Sequence, residues 1–261
     1  METSRENLFA RLVEYFMAAN VESEWLIWHG SPEECAERDP AVHVWCCDLD
    51  EAAWDRFCDE STLGESELAH VRRLRFERGR RLFLRRRALG RFLLGQFLNV
   101  PPQSLEFGET ERQEPFLISP GADTCRFNSS HAESVFALAI SAGSAAVGVD
   151  VETIRPDWDW EGVTEMFLDP RRLAQLRAVG ESGRQETFLR FWALREAFAK
   201  ATGEGIVYES GNGVKSEQVW DLVIEPIRLA DEVAAAGWRW DARRRRIGAK
   251  DAVVAVVRRG T

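Results

Sequence analysis

Two long stretches with helical periodicity constrain this chain more than anything else in it. One runs over 65–98 and stops at Pro101-Pro102; the other runs over 184–202 and stops at Gly203. Proline cannot continue a helix, and glycine often ends one in a left-handed turn. Strand patterns flank the first at "VHVWCCDL" (42–49), "SLEFGE" (104–109) and "SVFALAIS" (134–141). Others flank the second at "AAVGVDVE" (145–152), "QVWDLVIEP" (218–226), "GWRWDA" (237–242) and "DAVVAVVRR" (251–259). A further helix is expected over 161–179, and the first long helix is expected to bend or break near Gly79 and Gly90. Each half supplies strands and one long helix, so the predicted class is α+β in two comparable lobes. Ahead of them, 3–19 reads as an amphipathic helix with capping-box spacing at Thr3 and Glu6, and 20–40 as a loop-rich connector. The expected division is 1–40, 41–144 and 145–261.

Composition sets the outer limits. With 261 residues and 45 % apolar content the chain can bury a real core. A net charge of −9 disfavours indiscriminate binding to nucleic acid or to an anionic membrane. The five cysteines, Cys35, Cys46, Cys47, Cys58 and Cys125, contain no C-x-x-C pair, so neither a zinc cage nor a disulfide framework is expected. No apolar run approaches the roughly 20 residues of a membrane helix, and "METSRENLFARLVEYF" lacks the apolar core of a signal peptide. The expected compartment is reducing and cytoplasmic.

Three clusters could carry chemistry. Asp150 and Glu152 are two apart in a strand, hence on one face, and Gly148 before them lets a ligand or another backbone come close. Two acids side by side repel unless a cation lies between them, although a strand end whose acids face water has the same pattern. Glu196 and Lys200 share a helix face at i and i+4, which alone describes a surface ion pair. Taken together the clusters offer three carboxylates and a cation, hard oxygen ligands suited to Mg²⁺ shared with a substrate phosphate. The third cluster, "RRLRFERGRRLFLRRRALGR" (72–91), holds ten arginines and a single acid, Glu77, in an otherwise acidic chain. Its interleaved Leu74, Leu82, Phe83, Leu84 and Leu89 pack one side, and the other side suits a polyanion: nucleic acid or a phosphate-rich small molecule. A smaller feature, "FNSSHAE" (127–133), reads as a turn that places His131 beside hydroxyls at a strand mouth, a candidate hydrogen-bond donor to phosphate.

With "FNSSH" (127–131), "GVDVE" (148–152) and "WALREAFAKATG" (192–203) in this order and spacing, the chain resembles the 4′-phosphopantetheinyl transferases of the larger, surfactin-synthetase-activating type. The resemblance covers roughly residues 42–258. It implies a fold of two similar α+β lobes related by a pseudo-twofold, each with a small antiparallel sheet and a long helix. It also implies a monomer that moves the phosphopantetheine arm of coenzyme A to a serine of an acyl or peptidyl carrier protein. Adenosine 3′,5′-bisphosphate is then the other product, and Mg²⁺ is required. By the same resemblance Asp150, Glu152 and Glu196 match the metal carboxylates. Ser130, His131 and Lys200 match groups that hold phosphates, with Glu196, Lys200 and His131 closest to the chemistry. Arg78 and Arg87 match arginines that grip the adenosine end. The chain departs from the family pattern where Arg112-Gln113-Glu114-Pro115 replaces R-G-K-P, keeping Arg112 and losing a lysine, and where Arg195 replaces the lysine before Glu196. A guanidinium there can still meet a phosphate. Two other readings stand beside this one: a nucleic-acid-binding module led by the arginine tract, and a catalytically silent carrier-protein binder.

Overall fold

In the computed structural model the described residues are 26–29, 42–57, 59–110, 115–203, 219, 223 and 237–260. Nine strands and five α-helices are found among them. A first sheet has the order β1-β2-β6-β5, formed by Leu26–His29, Val42–Asp48, Val135–Ala142 and Cys125–Ala132. β1 runs parallel to β2, and the remaining pairings are antiparallel. A two-stranded ribbon pairs β3, Glu106–Glu109, with β4, Pro115–Ser119. A second sheet has the order β7-β9-β8, formed by Val147–Thr153, Lys250–Arg259 and Trp238–Ile247, all antiparallel.

The alternation of side chains along the central strands explains the layering. On β2 and β6, Trp45, Cys47, Phe136, Leu138 and Ile140 pack against α2, Glu77–Leu98, through its Leu89, Leu93, Leu94 and Phe97. The opposite positions, Val42, Val44, Ala137 and Ala139, join Val149, Val151, Val254 and Val256 of the second sheet. On β9 the positions between these, Val253, Ala255 and Val257, face α5, Glu181–Thr202, and its Phe188, Leu189, Leu194 and Phe198. The central strands are therefore covered on both faces, and they read as continuous apolar runs because neither face meets water. Each sheet is backed by one helix of 22 residues.

The long helical stretches differ in detail from expectation. The first is two helices, α1, Glu65–Arg73, and α2. The break falls at 74–76, where Leu74 and Phe76 are extended, while Gly79 and Gly90 lie inside α2 without disturbing it. A helical glycine costs only about 1 kcal/mol relative to alanine, which packing overrides. The helix expected over 161–179 is also two, α3, Trp160–Phe167, and α4, Pro170–Ala178. Asp169 caps α4 by accepting from the Arg172 N–H, and Pro170 occupies its first turn, a start signal the periodicity concealed. α5 begins three residues before the expected 184 and ends at Gly203 with φ 72°.

Other expectations fare unevenly. "FNSSHAE" is no turn: 125–132 is strand β5, and the turn to β6 lies at Glu133, with φ 54°. β8 runs on to Ile247, so the "RRRR" at 243–246 is strand. Part of the 20–40 connector is strand β1. The helix expected over 3–19 lies outside the described residues, as does most of the strand expected over 218–226. The two described residues there, Val219 and Val223, are buried and helical.

Candidate active site

The site begins with a glycine. A Cβ on Gly148 would stand 2.0 Å from the carbonyl oxygen of Ala197 and 2.9 Å from the Ala201 nitrogen. The backbones of β7 and α5 are therefore in direct contact, and no residue with a side chain fits between them. The close approach brings Lys200, one turn of α5 beyond Glu196, onto Asp150, two residues along β7. Lys200 Nζ donates to Asp150 Oδ1 at 2.7 Å and to the Val149 carbonyl at 3.2 Å. The spacing of the "GVDVE" and "WALREAFAKATG" stretches follows from this packing.

β5 completes that wall. Asn128 and Ser130 share a face of the strand and meet the edge of β7. The Val149 N–H donates to Asn128 Oδ1 at 3.1 Å, and Ser130 Oγ donates to Asp150 Oδ1 at 2.7 Å. At the other end of the junction between the sheets, Lys250 Nζ donates to Asp48 Oδ2 at 2.7 Å and to Ser134 Oγ at 2.6 Å.

Asp150 is buried, and its Oδ2 has no hydrogen-bond donor. Burial pushes its carboxyl upward, against the opposing pull of Lys200 and Ser130. Glu152 is pushed up to about 7 by burial and then by the charges of Asp150 and Glu196. Glu152 thus feels the charge of both other carboxylates. Among the described residues no three His, Cys, Asp or Glu side chains already stand in a metal-holding arrangement. The donor chemistry nevertheless fits a hard divalent cation. It offers oxygen ligands only, with one buried carboxylate oxygen unpartnered and a mutual repulsion that a cation would relieve.

Next to Asp150 and Lys200 opens a cleft of about 380 Å³, lined by Arg86, Arg87, Gly90 and Arg91 of α2, by Glu67 of α1, by Phe107, and by 127–131 of β5. Arg86 is pushed down to about 10 by burial and by neighbouring Arg87. His131 keeps an open edge to solvent, yet partial burial and then Arg86, Lys200 and Arg87 hold it down to about 4, so it is neutral at pH 7. This wall carries unfavourable positive charge that an anion would relieve. Arg91 is committed to the protein. It donates to Glu67 at 2.8 Å and to the Leu105 carbonyl at 2.8 Å, and lies over the Phe107 ring. Arg87 keeps its Nε without a hydrogen bond, 3.8 Å from Glu67.

The structure brings Asp150, Ser130, His131, Lys200 and Arg87 together, with Glu152 and Glu196 in electrostatic reach. It places Arg78 elsewhere, 59 % exposed and paired with Asp50 at 2.8 Å. Arg195 is buried and lies over the Trp192 and Phe167 rings. Arg112 is outside the described residues. The sequence reading missed Arg86 and Asn128. Asn128 escaped because 127–133 reads as a turn, which hides the period of two that pairs it with Ser130. Arg86 could have been found by phasing α2 on its buried Leu89 and Leu93, since Arg86, Arg87, Gly90 and Arg91 then share one flank.

Comparison with known proteins decides the family. Residues 146–257 match the 4′-phosphopantetheinyl transferase superfamily. The 4′-phosphopantetheinyl transferase HetI of Nostoc sp. is 30 % identical over 212 residues, which span 81 % of this chain and 86 % of that protein. The chain belongs to the 4′-phosphopantetheinyl transferase superfamily. A phosphopantetheinyl transferase of Thraustochytrium sp. is 31 % identical over 56 % of this chain and 54 % of its own length. The 4′-phosphopantetheinyl transferase of Bacillus subtilis is 25 % identical over 41 % and 45 %. As a member of this superfamily the chain is a transferase. Gly148, Asp150, Glu152, Glu196 and Lys200 lie inside the superfamily match, and the arginine wall, Ser130 and His131 precede it. No helix among the described residues is long and apolar enough to cross a membrane.

Proposed function

We propose that this transferase moves the 4′-phosphopantetheine arm of coenzyme A to a serine of an acyl or peptidyl carrier protein, as a holo-carrier-protein synthase, and releases adenosine 3′,5′-bisphosphate. The observation that carries the reading is the cationic cleft of Arg86, Arg87, His131 and Lys200 set directly against buried Asp150. Coenzyme A presents a pyrophosphate and a 3′-phosphate, and such a wall suits both. Arg86 and Arg87 bind the phosphate-rich adenosine end. Ser130, neutral His131 and Lys200 sit where the pyrophosphate would meet Asp150. Asp150, Glu152 and Glu196 would hold Mg²⁺, which when bound neutralises pyrophosphate charge. The serine oxygen bonds to the β-phosphorus as the bond to the α-phosphate oxygen breaks. Lys200 meets the charge that builds on that departing oxygen, and the serine proton passes to Glu196 or to a water.

The two helix-backed sheets support a two-lobed, pseudo-twofold arrangement divided near 144, as in the larger members of the superfamily. The resemblance to those larger members supports a cytoplasmic monomer. A nucleic-acid module is disfavoured by the net charge of −9 and by the pairing of half the tract: Arg78 and Arg81 pair with Asp50, Arg85 with Asp55, and Arg87 and Arg91 with Glu67.

Calorimetric titration with coenzyme A, with and without Mg²⁺, followed by mass spectrometry of apo carrier proteins incubated with all three, tests the proposal. Mg²⁺-dependent binding and a gain of one arm per carrier are expected. Arg87→Ala should weaken coenzyme A roughly ten- to a hundredfold, the equivalent of one charged hydrogen bond. Binding without any carrier modification would leave a silent binder.

A further inference from the structure

We propose that the joint between α1 and α2 is the docking surface for the acceptor, which covers Phe76 with an apolar side chain and meets the surrounding arginines with an acidic face. This rests on the reading of the acceptor as a carrier protein.

Phe76 works against its own fold. It is the N-cap of α2, where Ser, Thr, Asp or Asn would satisfy a helical N–H, and it makes no side-chain cap bond. It is also 80 % exposed, the most exposed of the large apolar side chains described. A residue that neither caps nor packs, at a position where a small polar one would stabilise, points to a use outside the folded chain.

Around it, Arg72, Arg73, Arg75 and Arg80 are all exposed. Among the described residues no acid pairs with any of these four, although Arg78, Arg81, Arg85, Arg87 and Arg91 of the same tract each have one. The tract therefore divides in two. One part is neutralised or faces the cleft, and the other surrounds an exposed ring with no acid paired to it among the described residues, in a chain of net charge −9. A cationic rim around an apolar centre is complementary to an acidic protein face with one protruding apolar residue. The place fits as well. Arg86 lies ten residues beyond Phe76, about 15 Å along the helix at 1.5 Å per residue, so a small domain seated on the joint stands beside the cleft.

The test uses Phe76→Ser and the double variant Arg75→Glu, Arg80→Glu. Serine is a better N-cap, and a glutamate at 80 lies in the first turn of α2, where negative charge is favoured. Neither variant should melt below the parent. A strongly acidic apo acyl carrier protein domain is titrated into each, and coenzyme A is titrated into the same samples. The expected result is carrier binding weakened roughly tenfold or more in both variants, with coenzyme A binding unchanged, and a salt dependence shallower in the arginine variant. Equal carrier binding by parent and variants overturns the proposal, as does no carrier binding by the parent. So does a loss, in the variants, of binding to duplex DNA or phosphatidylglycerol vesicles while the carrier binds as before. Failure of the parent to bind coenzyme A would instead sink the transferase mechanism, separately from this surface.

Discussion

Asp150 is the residue on which most of the site leans, and its environment changes what its removal should do. From sequence alone Asp150→Ala should spare the fold, because it removes repulsion from Glu152. In the structure the same carboxylate is buried and holds Lys200 and Ser130. Truncating it leaves an ammonium without its partner. The expected loss is roughly 2–3 kcal/mol, below the 3–5 of a fully buried pair because Lys200 keeps some contact with water. Asp150→Ala with Lys200→Met should recover much of that loss, and urea unfolding of both singles and the double measures it. Glu152 gives a pH signature. Its folded pKa, about 7, lies above the ordinary 4.5, so the folded state holds the proton more tightly than the unfolded one. Stability from this group is present below about pH 4.5 and is lost as pH rises through 7. In metal-free buffer the melting temperature should therefore fall between pH 5 and 8, and Glu152→Gln should flatten that fall. An unchanged slope in the variant would assign the effect to another group. At this scale the sequence was most legible where chemistry and spacing coincide, as in Asp150, Glu152, Glu196 and Lys200. It was least legible for Arg195, because a guanidinium suited to a phosphate is equally suited to the rings of Trp192 and Phe167.

The contact between β7 and α5 makes the sharpest prediction at the level of elements. Gly148→Ala puts a methyl group 2.0 Å from the Ala197 carbonyl oxygen, and neither backbone can yield locally. The helix must move away, which costs at least the 1–3 kcal/mol or so typical of overpacking and carries Lys200 off Asp150. Gly79→Ala is the control: it meets nothing within 4 Å and should stabilise α2 by up to about 1 kcal/mol. Thermal melts of the two variants should move in opposite directions; a parallel drop would mean that glycine matters here through chain flexibility. The elements themselves were readable wherever period and stop signal agreed, as for α5 and β9. They were misread where a short polar strand looked like a turn, as in β5, and where a break carried no glycine or proline, as between α1 and α2. In β5 tertiary contacts decide the backbone, through Asn128 and Ser130 against the edge of β7; at the break between the helices Arg75 and Phe76 are exposed, and no residue type there marks the stop.

Across the whole molecule the cleft has two owners. Arg86 and Arg87 ride on the helix behind the first sheet, Ser130 and His131 on that sheet's outer strand, and Lys200 on the helix behind the second. A ligand in the cleft should therefore tighten both halves together. Hydrogen exchange with coenzyme A present should slow in 86–91, in 128–131 and in 197–203 alike, and slowing confined to one half would place the ligand elsewhere. The same arrangement bears on how such chains are recognised. Residues 146–257 suffice to register the superfamily and contain the acids and the lysine, but none of the arginine wall. A descendant that kept this half and lost the wall would still be counted among its kin, with Lys200 alone to offer a phosphate. Kinship is inscribed in one half, and competence has to be read across both.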